Sequence, residues 1–377
     1  MFSNKKKETE ISRVYNYLLS ASTPRKARTL IMERRPVVFS VLLFMFVLHS
    51  VAASPSTSAN LLFNFYAASC PAAEFMVRNT VRSASSADPT VPGKLLRLLF
   101  HDCFVEGCDA SVLLQGNGTE QSDPANRSLG GFSVIDSAKR VLEIFCPETV
   151  SCADIVVLAA RDAVEMAGGP VIRIPTGRRD GMVSAASNVR PNIVDTSFSV
   201  DEMINLFSSK GMSLDDLVTL SGAKSFGLVH IENWMQIRLG AHTIGTAHCS
   251  AFSDRFQKDS KGKLSLIDTS LNSTYADELI KQCPADSSPS VLVNNDPYTS
   301  FMFDNQYYRN LLSHRGLFQS DSVLFNDERT RKQVEDFAND QVGFFESWGQ
   351  SFFKLTSTGV KTGDEGEIRR SCSATNM

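Results

Sequence analysis

The residues best suited to chemistry lie in one short apolar segment, Leu95–Leu114, which reads LLRLLFHDCFVEGCDASVLL. If its first ten residues are helical, Arg97 and His101 stand four positions apart on one face, and Phe100 lies beside the histidine. A fixed cation and a proton acceptor in an apolar cavity suit cleavage of a peroxide O–O bond. His101 can move a proton between the two oxygens while Arg97 stabilises the developing charge. The same spacing also fits an amphipathic helix with a snorkelling arginine and a core histidine.

Oxygen-bearing groups crowd the chain directly after this pair. They are the side chains of Asp102, Asp109, Ser111 and, further on, Glu120, with the backbone carbonyls of Val105 and Gly107. Hard oxygen ligands in a glycine-containing loop suit calcium. The spacing is not that of an EF-hand, and a capped polar loop without metal is the alternative.

A haem iron opposite His101 would need an axial ligand, and the candidates are His230, His242 and His248, of which His242 lies in GAHTIGTAHC. Glycine and alanine allow close approach there, and a helix can continue to Cys249. A lone histidine of this kind is also compatible with a core residue.

The elements that must position these residues are mainly helical. Apolar residues recur at helical spacing and predict helices at Val91–Phe104, Phe132–Phe145, Ser151–Met166, Asp201–Ser209, Leu214–Ser221, Asp304–Leu312 and Arg329–Phe353. Alternating strand patterns are short and few, so the predicted class is mainly α with very little β.

Length and composition describe an ordinary globular chain. Its 377 residues are 42% hydrophobic and 21% charged, with a formal net charge of −3. This length allows one large domain or two lobes that share a core. The absence of a basic excess argues against nucleic acid or an anionic membrane as a partner.

Eight cysteines, all after residue 69, indicate disulfides and therefore an oxidising compartment. Their spacing does not match a zinc site. Eight cysteines allow 105 pairings, and free buried thiols are the alternative.

The N-terminal region predicts export. An apolar run, Val37–Ala53, follows Arg34 and Arg35 and ends in small residues, which is typical of a signal peptide. A membrane anchor is the alternative. Residues 1–59 are therefore predicted to be an extension and signal peptide, and Met32 offers a second start. Sequons at Asn117, Asn126 and Asn272 suit a secreted chain, although such triplets also arise by chance.

The segments LLRLLFHDCF and GAHTIGTAHC resemble the two haem signatures of plant secretory (class III) peroxidases. The likeness covers residues 60–373 and includes all eight cysteines. It implies two mainly helical lobes with haem b between them. It also implies a secreted, monomeric enzyme of the apoplast or cell wall that reduces hydrogen peroxide and oxidises small phenolic donors by one-electron steps.

The resemblance also implies roles for individual residues. Arg97 and His101 would cleave peroxide, Phe100 would line the distal pocket, and Asn126 would hydrogen-bond His101. His242 would be the proximal iron ligand, with Asp321 accepting its other N–H.

Two structural calcium ions and four disulfides are implied as well. The distal calcium would use Asp102, Val105, Gly107, Asp109 and Ser111, with Glu120 through water. The proximal calcium would use Thr243, Asp296, Thr299, Met302 and Asp304. The implied bridges are Cys70–Cys146, Cys103–Cys108, Cys152–Cys372 and Cys249–Cys283.

The chain departs from the family pattern in two places. Residues 224–241 separate Ser221-Gly222-Ala223 from His242, which the family joins directly. This insert places Lys224 where the ligand would stand and offers His230 as a competitor for iron. Its in-frame length and abrupt edges suggest a retained intron or a splice-model error. If it blocks the proximal side, the chain would be a catalytically impaired peroxidase-like protein.

The second departure lies at the donor-access site, where Arg190 precedes Pro191 and the family usually has proline at the arginine position. A shift in substrate preference is one reading, and substitution by Pro191 is the other. An intracellular ascorbate-type peroxidase is disfavoured by the signal peptide and the cysteines.

Overall fold

The computed structural model describes residues 61–222, 243–288 and 291–376. The helices of these ranges are α1 Ala73–Ala87, α2 Val91–Val105, α3 Phe132–Phe145, α4 Cys152–Met166, α5 Val200–Ser209, α6 Leu214–Ser221, α7 Ser273–Gln282, α8 Gln306–Leu312, α9 Gln319–Asn326, α10 Glu328–Asn339 and α11 Gln341–Thr356. The strands are β1 Thr246–His248, β2 Phe256–Lys258, β3 Leu264–Leu266 and β4 Leu292–Asn294. The predicted class, mainly α with little β, is confirmed.

The strands form two small antiparallel sheets. β1 pairs with β4, with Ala247 opposite Val293, and β2 pairs with β3, with Gln257 opposite Ser265. The first sheet therefore joins the segment after residue 243 to the segment after residue 291. It brings together the two stretches that carry Thr243 and Asp296, which are predicted ligands of the proximal calcium.

Helix α2 lies in the centre of the core. It packs against α4, and α1 packs against both α3 and α4. Every residue of α2 except Lys94 is buried, and Pro92 occupies the first turn, where its missing N–H costs no hydrogen bond. Helix α4 begins at the N-cap Ser151, whose side chain accepts from the Asp154 N–H at 3.1 Å. Burial on all sides places the polar residues of α2 in apolar surroundings.

Local patterning located several helices well. The observed bounds of α3 and α6 are those predicted, and α2, α4, α5 and α8 differ from prediction by one or two residues at an end. The prediction did not include α1, α7 or α9. Amphipathic patterns in these helices were not recognised from the sequence.

One predicted helix, Arg329–Phe353, is wrong as a continuous element, because α10 ends and α11 begins at Asp340. Asp340 is extended, with φ −130° and ψ 94°, and its carboxylate accepts from the Gly343 N–H at 3.0 Å. An aspartate that caps a new first turn in this way competes with helix continuation.

The expected helix running to Cys249 is also wrong. Residues Thr246–His248 form β1, and a 3₁₀ segment begins only at Cys249. Gly245 precedes the strand with φ +128°, a conformation outside the right-handed helical region. Pairing with β4 satisfies the backbone of this stretch instead.

The four disulfides implied by the family resemblance are present: Cys70–Cys146, Cys103–Cys108, Cys152–Cys372 and Cys249–Cys283. The predicted signal segment and the insert at residues 224–241 lie outside the described residues. In the part of the chain that the structure describes, no helix is both long and apolar enough to cross a membrane.

Candidate active site

The predicted distal pair lies on one buried face of α2. Arg97 and His101 are respectively 2% and 0% exposed. The Phe100 ring lies edge-on to the imidazole, with 6.2 Å between ring centroids. The pair is therefore largely removed from water. Charge interactions are stronger in such a buried site than at the surface.

The orientation of His101 follows from its contact with Asn126. The imidazole Nδ1 lies 2.7 Å from Asn126 Oδ1, and Asn126 Nδ2 donates to the Glu120 carbonyl at 3.0 Å. The second bond fixes which end of the amide is the acceptor, so Nδ1 must carry the proton that it donates. Nε2 is then the basic nitrogen of His101, as proton transfer to and from a peroxide requires.

The guanidinium of Arg97 is held by the turn that follows Asn126. Its Nη1 donates to the Ser128 carbonyl at 2.8 Å, and its Nη2 donates to Ser128 Oγ at 3.1 Å and to the Ala125 carbonyl at 3.3 Å. These three acceptors are neutral oxygens. The bonds therefore fix the position of the positive charge without cancelling it.

The side chains of Asp102, Asp109, Ser111 and Glu120, in the oxygen-rich loop behind His101, are buried. Asp102 accepts from the Ala110 N–H at 2.9 Å, and Asp109 accepts from the Ser111 N–H at 2.9 Å. Burial, and then the negative charge of Asp109, raise the pKa of Asp102 well above its usual value. Burial likewise raises the pKa of Glu120 to about 8. Crowded carboxylates in a dry site repel one another unless a cation or protons neutralise them.

Two oxygens of this loop fit a bound cation. Ser111 Oγ and Glu120 Oε2 are buried and make no hydrogen bond of good geometry within the described residues, although Ser111 is near enough to lower the pKa of Glu120. Orphaned buried oxygens are costly, and a hard cation is a partner that would satisfy both. Lys361 already forms an ion pair with Asp109 at the edge of the loop. No group of three or more His, Cys, Asp or Glu in the described part converges as a metal site, so carbonyl and hydroxyl oxygens would have to complete the set.

The C-terminal segment covers the same loop. The Cys108 N–H donates to the Thr358 carbonyl at 2.9 Å. A Cβ on Gly107 would lie 2.3 Å from the Gly359 carbonyl oxygen, and Gly107 has φ +101°. Only glycine fits this close crossing of two backbones. The disulfide Cys103–Cys108 closes the loop on its other side. The C-terminal end of α2 is therefore held both by this disulfide and by the C-terminal segment.

The predicted proximal calcium residues come together around Thr243, which is fully buried. Its Oγ1 donates to the Asp304 carbonyl at 3.0 Å and lies 3.3 Å from the Met302 carbonyl. Thr299 Oγ1 lies 3.1 Å from Asp296 Oδ2 and 3.2 Å from Asp304 Oδ1. Burial raises the pKa of Asp296. All five residues thus present oxygen to one small volume, an arrangement that suits a hard cation.

Asp321, the predicted partner of the proximal histidine, is buried at the start of α9. Its Oδ1 accepts from the Tyr307 hydroxyl at 2.9 Å, and its Oδ2 accepts from the Phe318 N–H at 2.9 Å. Burial, and then the Asp321 charge, raise the pKa of Tyr307 well above its usual value, so this phenol is a hydrogen-bond donor at neutral pH. His242 and His230 lie outside the described residues.

The described residues that flank the insert, Gly222 and Thr243, lie close together. The Thr243 N–H donates to the Gly222 carbonyl at 3.2 Å. If Ala223 were followed directly by His242, these two groups would be three residues apart and would close an ordinary turn.

The residues predicted to border donor access lie in a 3₁₀ turn, Arg190–Asn192, which we call the access turn. The Arg190 Nε donates to Asp123, 3.1 Å from Oδ1 and 3.4 Å from Oδ2. Pro191 is exposed beside it. The access turn is thus tied to the loop that carries Asn126.

The three sequons differ in exposure. Asn117 is exposed, whereas the Asn272 side chain accepts from the Tyr275 N–H as the N-cap of α7. Asn126 is 2% exposed, and both ends of its amide are used. A glycan on Asn126 is incompatible with this arrangement, so the prediction there is wrong.

Sequence reasoning missed several residues that serve these sites. They are Asp123, Ser128, Tyr307 and Lys361. Asp123 carried a usable signal, because Asp-Pro-Ala-Asn is a turn sequence. Tyr307 and Lys361 carried none, since their partners are 14 and 252 positions away and only the fold brings them together.

Comparison with known proteins gives a consistent result. The family model described as Peroxidase matches residues 77–238 and 235–340. The two matches meet inside the insert, which interrupts the family pattern there. The chain is 62% identical to Peroxidase 46 of Arabidopsis thaliana over 321 residues, which are 85% of this chain and 93% of the relative.

Further relatives extend this result. Peroxidase 18 of Arabidopsis thaliana is 63% identical over 322 residues, which are 85% of this chain and 92% of the relative. Peroxidase 66 of the same plant is 42% identical over 332 residues, which are 87% of this chain and 96% of the relative. The likeness spans nearly the whole length of each relative.

Proposed function

The chain belongs to the peroxidase family, in its plant secretory class, and on this premise we propose that it is a haem-dependent enzyme that reduces hydrogen peroxide at the expense of phenolic donors. One peroxide molecule and two phenols would give two water molecules and two phenoxyl radicals. Each phenol loses one electron and one proton. The observation that carries the proposal is the buried arrangement of Arg97, His101 and Asn126.

The distal residues would act on the peroxide. His101 Nε2, basic because Nδ1 donates to Asn126, accepts a proton from one peroxide oxygen and returns it to the other, which leaves as water. Arg97, fixed by Ser128, stabilises the negative charge that builds up as the O–O bond breaks. Because both groups are held before peroxide arrives, little reorganisation is needed during the step.

Haem b is the cofactor that this proposal requires. The haem would supply the one-electron redox chemistry. On the distal side the apolar face of α2, with Phe100, suits a flat hydrophobic group. On the proximal side His242 would hold the iron and Asp321 would accept its second N–H. The Tyr307 hydroxyl and the Phe318 N–H would keep that carboxylate in place.

We propose two structural calcium ions for the same reasons of chemistry. The distal ion would bind in the buried loop of Asp102, Asp109 and Ser111, with Glu120 through water. The proximal ion would bind among the oxygens gathered around Thr243. In each place oxygen atoms crowd together in a dry environment, which favours a hard divalent cation.

The remaining parts of the proposal concern setting and substrates. The predicted signal segment and the four disulfides support secretion, which we place in the apoplast or cell wall. The family resemblance implies that the protein acts as a monomer. Small phenols would reach the haem edge past the turn Arg190–Asn192.

Guaiacol oxidation tests the proposed function. The mature chain, purified with haem, should show the absorbance of bound haem and turn over guaiacol only when peroxide is present. Chelation of calcium should lower both activity and melting temperature, and added calcium should restore them. Bound haem without guaiacol turnover would instead support the impaired peroxidase-like protein, and absence of haem binding would refute the proposal altogether.

A further inference from the structure

The ion pair between Arg190 and Asp123 connects two functional parts of the molecule. Arg190 lies in the access turn, and Asp123 lies in the loop that supplies the partners of the distal pair. The side chain of Asp123 is 10% exposed and that of Arg190 is 35% exposed. The carboxylate is thus largely withdrawn from water, and the guanidinium is its charged partner.

Asp123 organises a tight turn. Its backbone carbonyl accepts from the Asn126 N–H at 2.9 Å, and its Oδ1 accepts from the Ala125 N–H at 2.5 Å. Pro124, between them, has its φ fixed by its ring. Aspartate at the first position and proline at the second are the residues this turn favours, so the turn is encoded locally.

This turn holds both members of the distal pair. Asn126 accepts from His101 Nδ1, and the carbonyl of Ala125 accepts from Arg97 Nη2. A rotation of the turn would therefore shift the contacts of the base and of the cation together. Displacements well below an ångström matter for groups that must meet a small substrate in a set geometry.

The access turn is held by contacts that do not involve Asp123, so it can serve as a fixed support for the Arg190–Asp123 ion pair. Lys210 Nζ donates to Asn192 Oδ1 at 2.6 Å, and Asn192 Nδ2 donates to the Asn188 carbonyl at 2.9 Å. The Asn188 side chain in turn hydrogen-bonds Glu106 at the C-terminal end of α2. Arg190 therefore reaches Asp123 from a segment attached to the same helix that carries His101.

We propose that the Arg190–Asp123 pair is a positioning device that holds the Asp123–Asn126 turn and thereby orients His101 and Arg97 for peroxide cleavage. The inference rests on the proposed function for its catalytic consequence. It assigns Arg190 a role in the peroxide step, in addition to any effect on donor access. Arg190 and Asp123 are positioning residues, since they act through Asn126 and Ala125.

The test compares Arg190→Gln, Asp123→Asn, the double variant and Arg190→Lys in the haem-loaded full chain. Asn at position 123 keeps an oxygen for the Ala125 N–H and removes only the charge. Each charge-removing single variant should slow the bimolecular reaction with hydrogen peroxide by about 2- to 5-fold, the range for a partly exposed pair. The double variant should be no slower than the singles, because all three lose the same interaction. Arg190→Lys should recover part of the rate.

Hydrogen exchange supplies a readout that does not depend on turnover. The amides of Ala125, Asn126 and Leu129, all hydrogen-bonded in this loop, should exchange faster in Arg190→Gln and Asp123→Asn than in the parent protein. Arg329→Gln removes ion pairs with Asp327 and Asp201 away from the site and is the control for loss of an arginine charge. It should change neither the peroxide rate nor exchange in residues 120–131.

Two outcomes would overturn the inference. One is a changed KM for guaiacol with an unchanged peroxide rate and unchanged exchange, which would make Arg190 an access residue alone. The other is additive loss in the double variant, which would mean that the two residues act separately. If the parent protein turned over no guaiacol, the proposed function would fail while the exchange measurement still decided whether the pair holds the turn.

Discussion

The distal and proximal halves of the site are built in different ways. The contacts that orient the distal pair join residues near in sequence: His101 and Asn126 are 25 positions apart, and Arg97 and Ser128 are 31 apart. On the proximal side, Thr243 contacts Met302 and Asp304 across 59 and 61 positions. Shorter separations mean fewer intervening residues whose conformation must be right, so the orientation of the distal pair is more locally encoded than the oxygen cluster around Thr243. The loop behind the pair, in contrast, depends on the C-terminal segment, since Asp109 and Lys361 are 252 positions apart.

The 18-residue insert interrupts the chain just before the proximal oxygen cluster. The hydrogen bonds of the proximal oxygen cluster are made by Thr243 and by residues after it, and β1 pairs with β4 further along the chain. The insert begins after Ala223, next to Gly222, whose carbonyl accepts a hydrogen bond from the Thr243 N–H. An interruption between two groups that already meet leaves the contacts on either side in place.

The largest expected effect comes from breaking the distal half. His101→Ala should lower the rate of reaction with hydrogen peroxide by about 10²–10⁴-fold, the usual contribution of a general acid–base group. Haem absorbance should remain, because the iron ligand is proposed on the other side. Stopped-flow spectroscopy measures the rate.

The matched control for this variant is His314→Asn, an exposed histidine with φ +56°, where asparagine is well tolerated. It should keep the parental rate. A His101→Ala protein that retained a tenth of the rate or more would contradict the role assigned to the distal pair.

The disulfides sharpen the comparison, because each half has one. Replacing both cysteines by alanine at Cys103–Cys108 removes a bridge of sequence separation 5, and at Cys249–Cys283 one of separation 34. Loop-entropy reasoning gives losses of about 2 and about 4 kcal/mol in the free energy of unfolding, respectively. Urea denaturation measures both.

The losses of activity in these two variants should rank in the opposite order to their losses of stability. The bridge Cys103–Cys108 lies directly behind His101, so its loss should slow the peroxide reaction more than loss of Cys249–Cys283 does. If the distal pair of substitutions left the rate unchanged and the proximal pair lowered it, the distal loop would not be what holds the base in place.

Removing residues 224–241 tests whether the proximal half is intact without them. The deletion leaves Ala223 and His242 to link Gly222 and Thr243, whose backbone groups are already 3.2 Å apart. Shortening the connection by about tenfold should raise the free energy of unfolding by up to about 2 kcal/mol through the closure entropy. Haem content and guaiacol turnover should equal or exceed those of the full chain.

A variant with an 18-residue Gly/Ser linker in place of the insert is the control, because it keeps the length and removes the side chains. Activity in the deletion but not in the linker variant would assign the effect to length. Loss of haem in the deletion variant would show that the insert is needed for the proximal site.

The smallest effect is expected at Asp216, which fixes α6 just before the insert. Its carboxylate accepts from Ser351 Oγ at 2.7 Å and from Lys354 Nζ at 2.8 Å. Burial alone would raise the pKa of Asp216, but the hydrogen bonds, the one from Lys354 first, lower it below its usual value. Asp216→Asn should therefore lower the free energy of unfolding by about 1 kcal/mol at pH 7.

The pH dependence of this loss has a definite sign. A carboxylate with a depressed folded pKa stabilises the protein above its unfolded pKa and loses that contribution as pH falls through the folded value. The parent and Asp216→Asn should therefore converge in stability at acid pH. Asp336→Asn, at the exposed pair with Lys332, is the control and should have little effect at either pH. A difference that persisted unchanged in acid would exclude the carboxylate charge as its cause.

The sequence by itself determined the mainly helical class, the distal helix with Arg97 and His101 on one face, and the residue types around them. These features depend on local periodicity and on motifs a few residues long. The four disulfides were implied by family resemblance rather than by spacing, since eight cysteines allow many pairings. Two predicted helices were wrong because of single residues. Asp340 divides the helix predicted at Arg329–Phe353 by capping the next helix, and Gly245 leads into β1 where a helix to Cys249 was expected.

Only the tertiary structure decided how the side chains are oriented. The Glu120 carbonyl sets the amide of Asn126, and this choice makes Nε2 the basic nitrogen of His101. Tyr307 reaches Asp321, and Arg190 reaches Asp123, through folding alone. The physical reason is that helical patterning is set by neighbours three and four residues away, whereas a hydrogen bond between distant segments exists only after the chain has closed a long loop and buried both partners.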